Sequence, residues 1–149
     1  MNPRLNPYAA APQTMAAMTA LDRAVRESGL DPQLAELVKI RASQINGCAY
    51  CIHLHSREAL AAGETEERLL LLGAWEDSPL YSERERAALA WTDAVTRLPE
   101  TGAPDADYAA LDRCFGAEEK VTLTVLIGLI NAWNRIAVGF RSVHPVGRI

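Results

Sequence analysis

Residues 117–140 read as one long helix with apolar side chains on nearly every face, among them Val121, Leu123, Leu126, Ile127, Ile130, Trp133 and Val138. A helix that is apolar all round has to be covered on several sides. The rest of this 149-residue chain is therefore expected to wrap it as a core helix, or to leave one flank for a second copy. Its most apolar run, residues 121–132, is interrupted by Thr122, Thr124, Gly128 and Asn131. That run is shorter than the roughly 20 residues a bilayer requires, so no membrane span is expected.

Helix punctuation recurs along the rest of the chain. Met15, Met18, Leu21 and Val25 are spaced by three and four, the period of one helical face. Asp31-Pro32 is an N-cap followed by proline at the first helical position, and Asn46-Gly47 is a stop. Another helix is expected from about Cys48 to Ala62, ended by Gly63, and a short one over residues 68–75, capped by Thr65. Ser82-Glu83-Arg84-Glu85 is a capping box that opens a helix running to Pro99, and Asp105 to Phe115 reads as a shorter one. No alternating run or Asn-Gly hairpin signals a strand. The fold expected is all-α, a compact helical domain over residues 14–140, with a loose proline-marked arm at 1–13 and a tail at 141–149.

Composition narrows the function classes. A hydrophobic fraction of 49% with 23% charged residues is the balance of a globular domain large enough to build a core without disulfide staples. The net charge of −4 and scattered basic residues leave no footprint for nucleic acid. With three cysteines and no apolar leader near Met1, the chain does not read as a secreted disulfide scaffold, and a cytoplasmic home is expected.

The chemistry is concentrated in Gly47-Cys48-Ala49-Tyr50-Cys51-Ile52-His53-Leu54-His55. On a helix starting near Cys48, one face collects Cys48, Cys51 and His55, while His53 and Tyr50 fall roughly opposite. A cysteine in the first helical turn is favoured as thiolate by unpaired amides and the dipole. His55, one turn beyond Cys51, is placed to take a thiol proton. Redox chemistry and metal binding both use such a set. Zinc would need a fourth ligand beside Cys48, Cys51 and His55. His53 is expected to face away and His144 lies in the tail, so neither a metal nor a cofactor is expected.

Glu36, followed after eleven residues by Cys48-x-x-Cys51-x-x-x-His55, resembles the signature of the alkylhydroperoxidase D-like group of the carboxymuconolactone decarboxylase superfamily. Ile45-Asn46-Gly47-Cys48, the helix start at residues 81–87 and Ile130-Asn131-Ala132-Trp133-Asn134-Arg135 are similar to segments common in that group. The resemblance implies a thiol-dependent peroxidase with an AhpD-like fold. Cys51 would attack the hydroperoxide, Cys48 would donate a proton and resolve by closing a Cys48–Cys51 disulfide, and Glu36 and His55 would form the proton relay. Well-understood members carry histidine where this chain has Tyr50, a phenol that can donate a hydrogen bond but is a poor base at neutral pH. Tyr50 is thus an auxiliary candidate at most.

The partners expected are a hydroperoxide, a thiol reductant (protein or small molecule) and further copies of the chain as a dimer-based assembly, trimer or hexamer. Two other readings stand beside the peroxidase: a decarboxylase acting on a carboxylated lactone, which needs no thiol pair, and a non-catalytic redox-sensing or zinc-binding protein. Cys114, without a neighbouring thiol or histidine, reads as structural, and Asn131, Trp133 and Asn134 as helix-packing residues.

Overall fold

The computed structural model describes residues 2–146, and among them there are helices but no strand. A single-turn α1 (Pro7–Ala10) and a 15-residue α2 (Pro12–Arg26) precede a tightly paired α3 (Pro32–Ile45) and α4 (Ala49–Ala61). Then come α5 (Glu66–Leu71), a 3-10 segment (Leu72–Asp77), α6 (Glu83–Thr96), α7 (Leu98–Thr101), α8 (Asp105–Cys114) and the long α9 (Ala117–Gly139).

Local chemistry accounts for the boundaries. Asp31 accepts the Gln33 amide at 3.0 Å while Pro32 presets the first turn of α3. Both halves of the capping box opening α6 form, with Glu85 N donating to Ser82 Oγ at 3.3 Å and Ser82 N to Glu85 Oε2 at 2.7 Å. Gly47 adopts φ +66, the left-handed conformation that ends α3 and lets the chain reverse into α4. The segment expected over residues 68–75 is split into α5, which ends at Leu71, and a 3-10 segment that is kinked at Ala74, φ −120, ψ 34.

α3 is the centre of the bundle, packed against α4, α6 and α9. Leu34 and Val38 meet Trp91 of α6 and Leu123 and Ile127 of α9 in one apolar cluster, while Leu37 and Ile40 meet Leu72, Trp75 and Leu89 in a second. A third, smaller cluster holds Ala42, Cys48, Cys51, Ile130 and Ala137, so the motif cysteines are part of the core where α3, α4 and α9 converge.

The structure adds to the sequence expectations at α9 and changes them in the N-terminal arm and the tail. α9 reaches 23 residues, so by length and composition it could cross a bilayer. Its Leu123, Ile127, Ile130 and Asn134 are instead buried against neighbouring helices. α2, α3, α4, α6 and α8 all pack on α9 and leave a strip uncovered that carries Val121 and Val125, while Val138 is exposed near the end of the helix. Residues 2–13, expected as a loose arm, carry α1 and are pinned to the far end of α9, with Arg4 N donating to Phe140 O at 2.9 Å. The tail folds back likewise: Ser142 N bonds Ala137 O at 2.8 Å and His144 stacks on His53 with ring centres 4.8 Å apart. Residues 147–149 of the expected tail lie outside the described residues.

Candidate active site

The reversal at Gly47 fixes where the first sulfur goes. Cys48 is the N-cap of α4 and not its first helical residue, and its Sγ accepts the backbone amide of Cys51 at 3.3 Å. It therefore occupies the position normally filled by a Ser or Asp oxygen, where an anion satisfies an orphan helix amide. The Cys51 sulfur lies 2.6 Å from that of Cys48, and both side chains are buried.

This geometry divides the two thiols. The Cys48 thiol is held well below the ordinary range, chiefly by its hydrogen bond with the Cys51 thiol. Burial opposes that effect, while the Cys51 amide, the Asn134 side chain and the charge of His55 add to it. Cys51 is pushed up by the same shared bond, then by burial and by the charge on Cys48. Resting negative charge thus belongs on Cys48, and the remaining proton on Cys51.

One turn further on, His55 faces across to α3. Its Nδ1 lies 3.0 Å from Glu36 Oε2 and 3.2 Å from Glu58 Oε2, and the Lys39 ammonium hydrogen-bonds Glu36 from the other side. Burial pulls the imidazole toward neutrality, but the two carboxylate bonds outweigh it and the net displacement is upward. The Glu58 carboxyl is lowered, first by its bond to His55. Glu36, which sequence spacing could not place in space, is brought to His55 because α3 and α4 pack side by side.

A cavity of about 260 Å³ opens onto this group. Cys51, His55, Tyr50 and Leu54 line it from α4, Ile130, Trp133 and Ile136 from α9, and Asp22, Arg26 and Lys39 form its polar edge. Cys48 is not among its lining residues and sits behind Cys51. Tyr50 is not opposite the thiols as expected. It is one residue from Cys51, about 100° round the helix, and packs on the cysteine cluster beside Trp133. His53 does face away, stacked on His144.

Sequence reasoning missed two contributors. Glu58 lies three residues after His55, a spacing that could have flagged it. Asn134 reads as packing, yet its side chain favours the charged form of both thiols while it bonds Ser43 Oγ at 2.9 Å. Two buried asparagines in an otherwise apolar helix were the available signal. Cys114 packs at the margin of the first apolar cluster, away from the thiol pair.

For a metal, the donor atoms that converge among the described residues are those of Glu36, His55 and Glu58, not a set containing the sulfurs. The Lys39 ammonium already bonds Glu36 and lies 4.0 Å from Glu58, so an added cation would have to compete with it.

An all-α bundle with a dithiol at a helix start, backed by a Glu–His pair, defines the AhpD-like class of folds. The sequence pattern of the carboxymuconolactone decarboxylase family matches residues 12–94, and the chain belongs to that family. It is 38% identical over 138 residues to the uncharacterized protein YdfG of Bacillus subtilis (strain 168), covering 93% of this chain and 94% of that one. A crystal structure from Agrobacterium tumefaciens, of a protein of unknown function described as a candidate antioxidant-defence protein AhpD, superposes with a TM-score of 0.96 at 49% identity. The match covers 98% of this chain and all (100%) of that one. The debrominase Bmp8 shares the fold, with a TM-score of 0.83 at 21% identity over 92% of this chain and 74% of its own.

Proposed function

We propose that the protein is a thiol-dependent peroxidase that reduces organic hydroperoxides by cycling Cys48 and Cys51 between dithiol and disulfide. The observation that carries this reading is the placement of Cys51 Sγ, 2.6 Å from its resolving partner, on the wall of an apolar cavity that also exposes His55. The description of the Agrobacterium relative supports it.

In the resting state Cys48 is thiolate, Cys51 thiol and His55 imidazolium. Cys51 sulfur attacks the terminal peroxide oxygen as its proton passes to Cys48, and the O–O bond breaks. Cys51 becomes the sulfenic acid, and His55 gives its proton to the departing alkoxide, yielding the alcohol. Cys48 then attacks the Cys51 sulfur, its proton leaves with the hydroxyl as water, and the disulfide closes. Two thiols of the reductant, a thiol protein or a small thiol, restore the dithiol and return one proton to His55. His55 therefore serves as acid in the oxidative half, in place of the base role expected from spacing, because two carboxylates hold its proton. We further propose self-association, with the strip of α9 that carries the exposed Val121 and Val125 as the covered face.

Intact-protein mass spectrometry after one equivalent of cumene hydroperoxide, with and without dimedone, tests the cycle. The expected products are a Cys48–Cys51 disulfide in the parent and a dimedone adduct on Cys51 in Cys48→Ser. An unmodified chain, a Cys51→Ser variant that consumes peroxide as fast as the parent, or stoichiometric zinc protecting both thiols would overturn the reading.

A further inference from the structure

The peroxidase cycle makes His55 lose one proton in each oxidative half and regain one in each reductive half, yet the imidazole is 10% exposed and Glu36 14%. Glu58 is different. Its side chain is 38% exposed while its Oε2 lies 3.2 Å from His55 Nδ1, so one carboxylate touches both the imidazole and solvent. It also lines a second surface depression with Arg57 and Ala61, on the outer side of α4.

We propose that Glu58 is the solvent port of the site, a positioning residue that keeps His55 charged and passes protons between it and bulk water. The assignment rests on the peroxidase reading for its purpose, but the His55–Glu58 bond is independent of it. Glu36 cannot take the same part, since it is bonded by Lys39 on one side and His55 on the other with little exposed surface. Lys39 faces both carboxylates, its Nζ 4.0 Å from Glu58 Oε2, which leaves two carboxylates, one ammonium and one imidazolium in balance. From α2, Asp22 and Arg26 border the same cavity, and the Arg26 charge also bears on Glu58. From α4 itself the thiols of Cys48 and Cys51 and the Tyr50 phenol lie on the inner side and His53 and Arg57 share the outer depression with Glu58, while the α9 residues lining the cavity carry no charge. The step moves a proton only: Glu58 takes the one released to water as the reductant's thiols open the disulfide, or one from a buffer acid, and hands it to Nδ1 of neutral His55 in the tautomer that keeps its hydrogen on Nε2, returning to carboxylate.

The test is Glu58→Gln in the otherwise unaltered full chain. Peroxide turnover in weakly buffered solution at neutral pH should fall about tenfold, a part of the general-acid contribution. Added formate or imidazole buffer should restore most of it, because small carriers replace a proton port but not a packing contact. In parallel, NMR titration of the His55 imidazole should show its midpoint falling toward the ordinary histidine value. Glu58→Asp, whose shorter arm withdraws from Nδ1, gives the same titration shift should the glutamine variant not fold. An unchanged His55 titration overturns the proposal whatever the parent does with peroxide. Turnover that buffer acids do not restore, in a folded variant of an active parent, overturns the port. A parent inert toward hydroperoxides removes the peroxidase reading, and with it the port, while leaving the His55–Glu58 coupling to be read from the titration.

Discussion

Asn134 donates its side-chain amide to Ser43 Oγ at 2.9 Å, joining α9 to α3 across 91 residues of sequence at the level of the thiols. Its carbonyl oxygen accepts from Asn46 Nδ2, also at 2.9 Å, and Asn46 donates equally to Asn131, so the amides form a continuous polar chain in an apolar core. These bonds contribute stability and also tune the thiol pair, since Asn134 favours the charged form of both sulfurs.

Asn134→Leu should therefore have two separable effects. Stability in urea should fall by about 1–3 kcal/mol, the cost of leaving buried partners unsatisfied. The rate of iodoacetamide alkylation at Cys48 should titrate at higher pH than in the parent. An unmoved alkylation midpoint would remove Asn134 from the thiol environment and leave it as packing alone.

Arg41 and Asp93 make a two-point ion pair, with both contacts at 2.6 Å, that ties α3 to α6 in a largely buried setting. Asp93→Ala strands the guanidinium, and a loss of about 3 kcal/mol in urea denaturation is expected. Replacing both, as Arg41→Met with Asp93→Leu, should recover a good part of that loss. A double variant as unstable as the single one would show that shape, not unpaired charge, is what matters there.

The His55 group predicts a pH window for stability. His55 is raised from 6.5, so its contribution is complete below that value and is lost as pH rises through the higher folded value. Glu58 is lowered from 4.5, so its contribution is present above that value and is lost as pH falls through the lower folded one. Melting temperature, measured with Cys48 and Cys51 both replaced by serine so that no active-site thiol titrates, should decline on both sides of the window. The alkaline decline should be weaker in a further His55→Gln variant, and a decline of equal size there would contradict the assignment.

Ile136 borders the cavity from α9, and Ile136→Trp would narrow it. Consumption of cumene hydroperoxide should drop about tenfold in kcat/KM, a change of the size produced by losing pocket volume for an apolar group. Hydrogen peroxide, which needs no apolar room, should be consumed at nearly the parent rate. Equal losses for both oxidants would mean that the cavity does not receive the organic group.

Helix positions, the capping box at Ser82 and Glu85, the all-α class and the common face of Cys51 and His55 were readable from the chain alone. Each is set by interactions within one or two turns, so the relevant residues are close in sequence as well as in space. The closeness of the two sulfurs was legible for the same reason, since Cys48 and Cys51 belong to one helix start.

The remainder depended on which helices pack together. Glu36 meets His55 because the left-handed turn at Gly47 folds α4 back along α3, and the motif spacing does not encode that approach. Tyr50 enters the cavity because Trp133 and Ile130 of α9 cover its flank of α4, although helical phase set it apart from the thiols. Charge settles on Cys48 because the chain reversal brings its sulfur against that of Cys51 and makes it an N-cap that accepts the Cys51 amide, while Asn134, 86 positions later in the chain, favours the charged form of either thiol. Short-range rules select which groups are present. Partners for buried polar atoms are chosen only when the helices close around them, since burial is what makes each unsatisfied donor or charge costly enough to demand one.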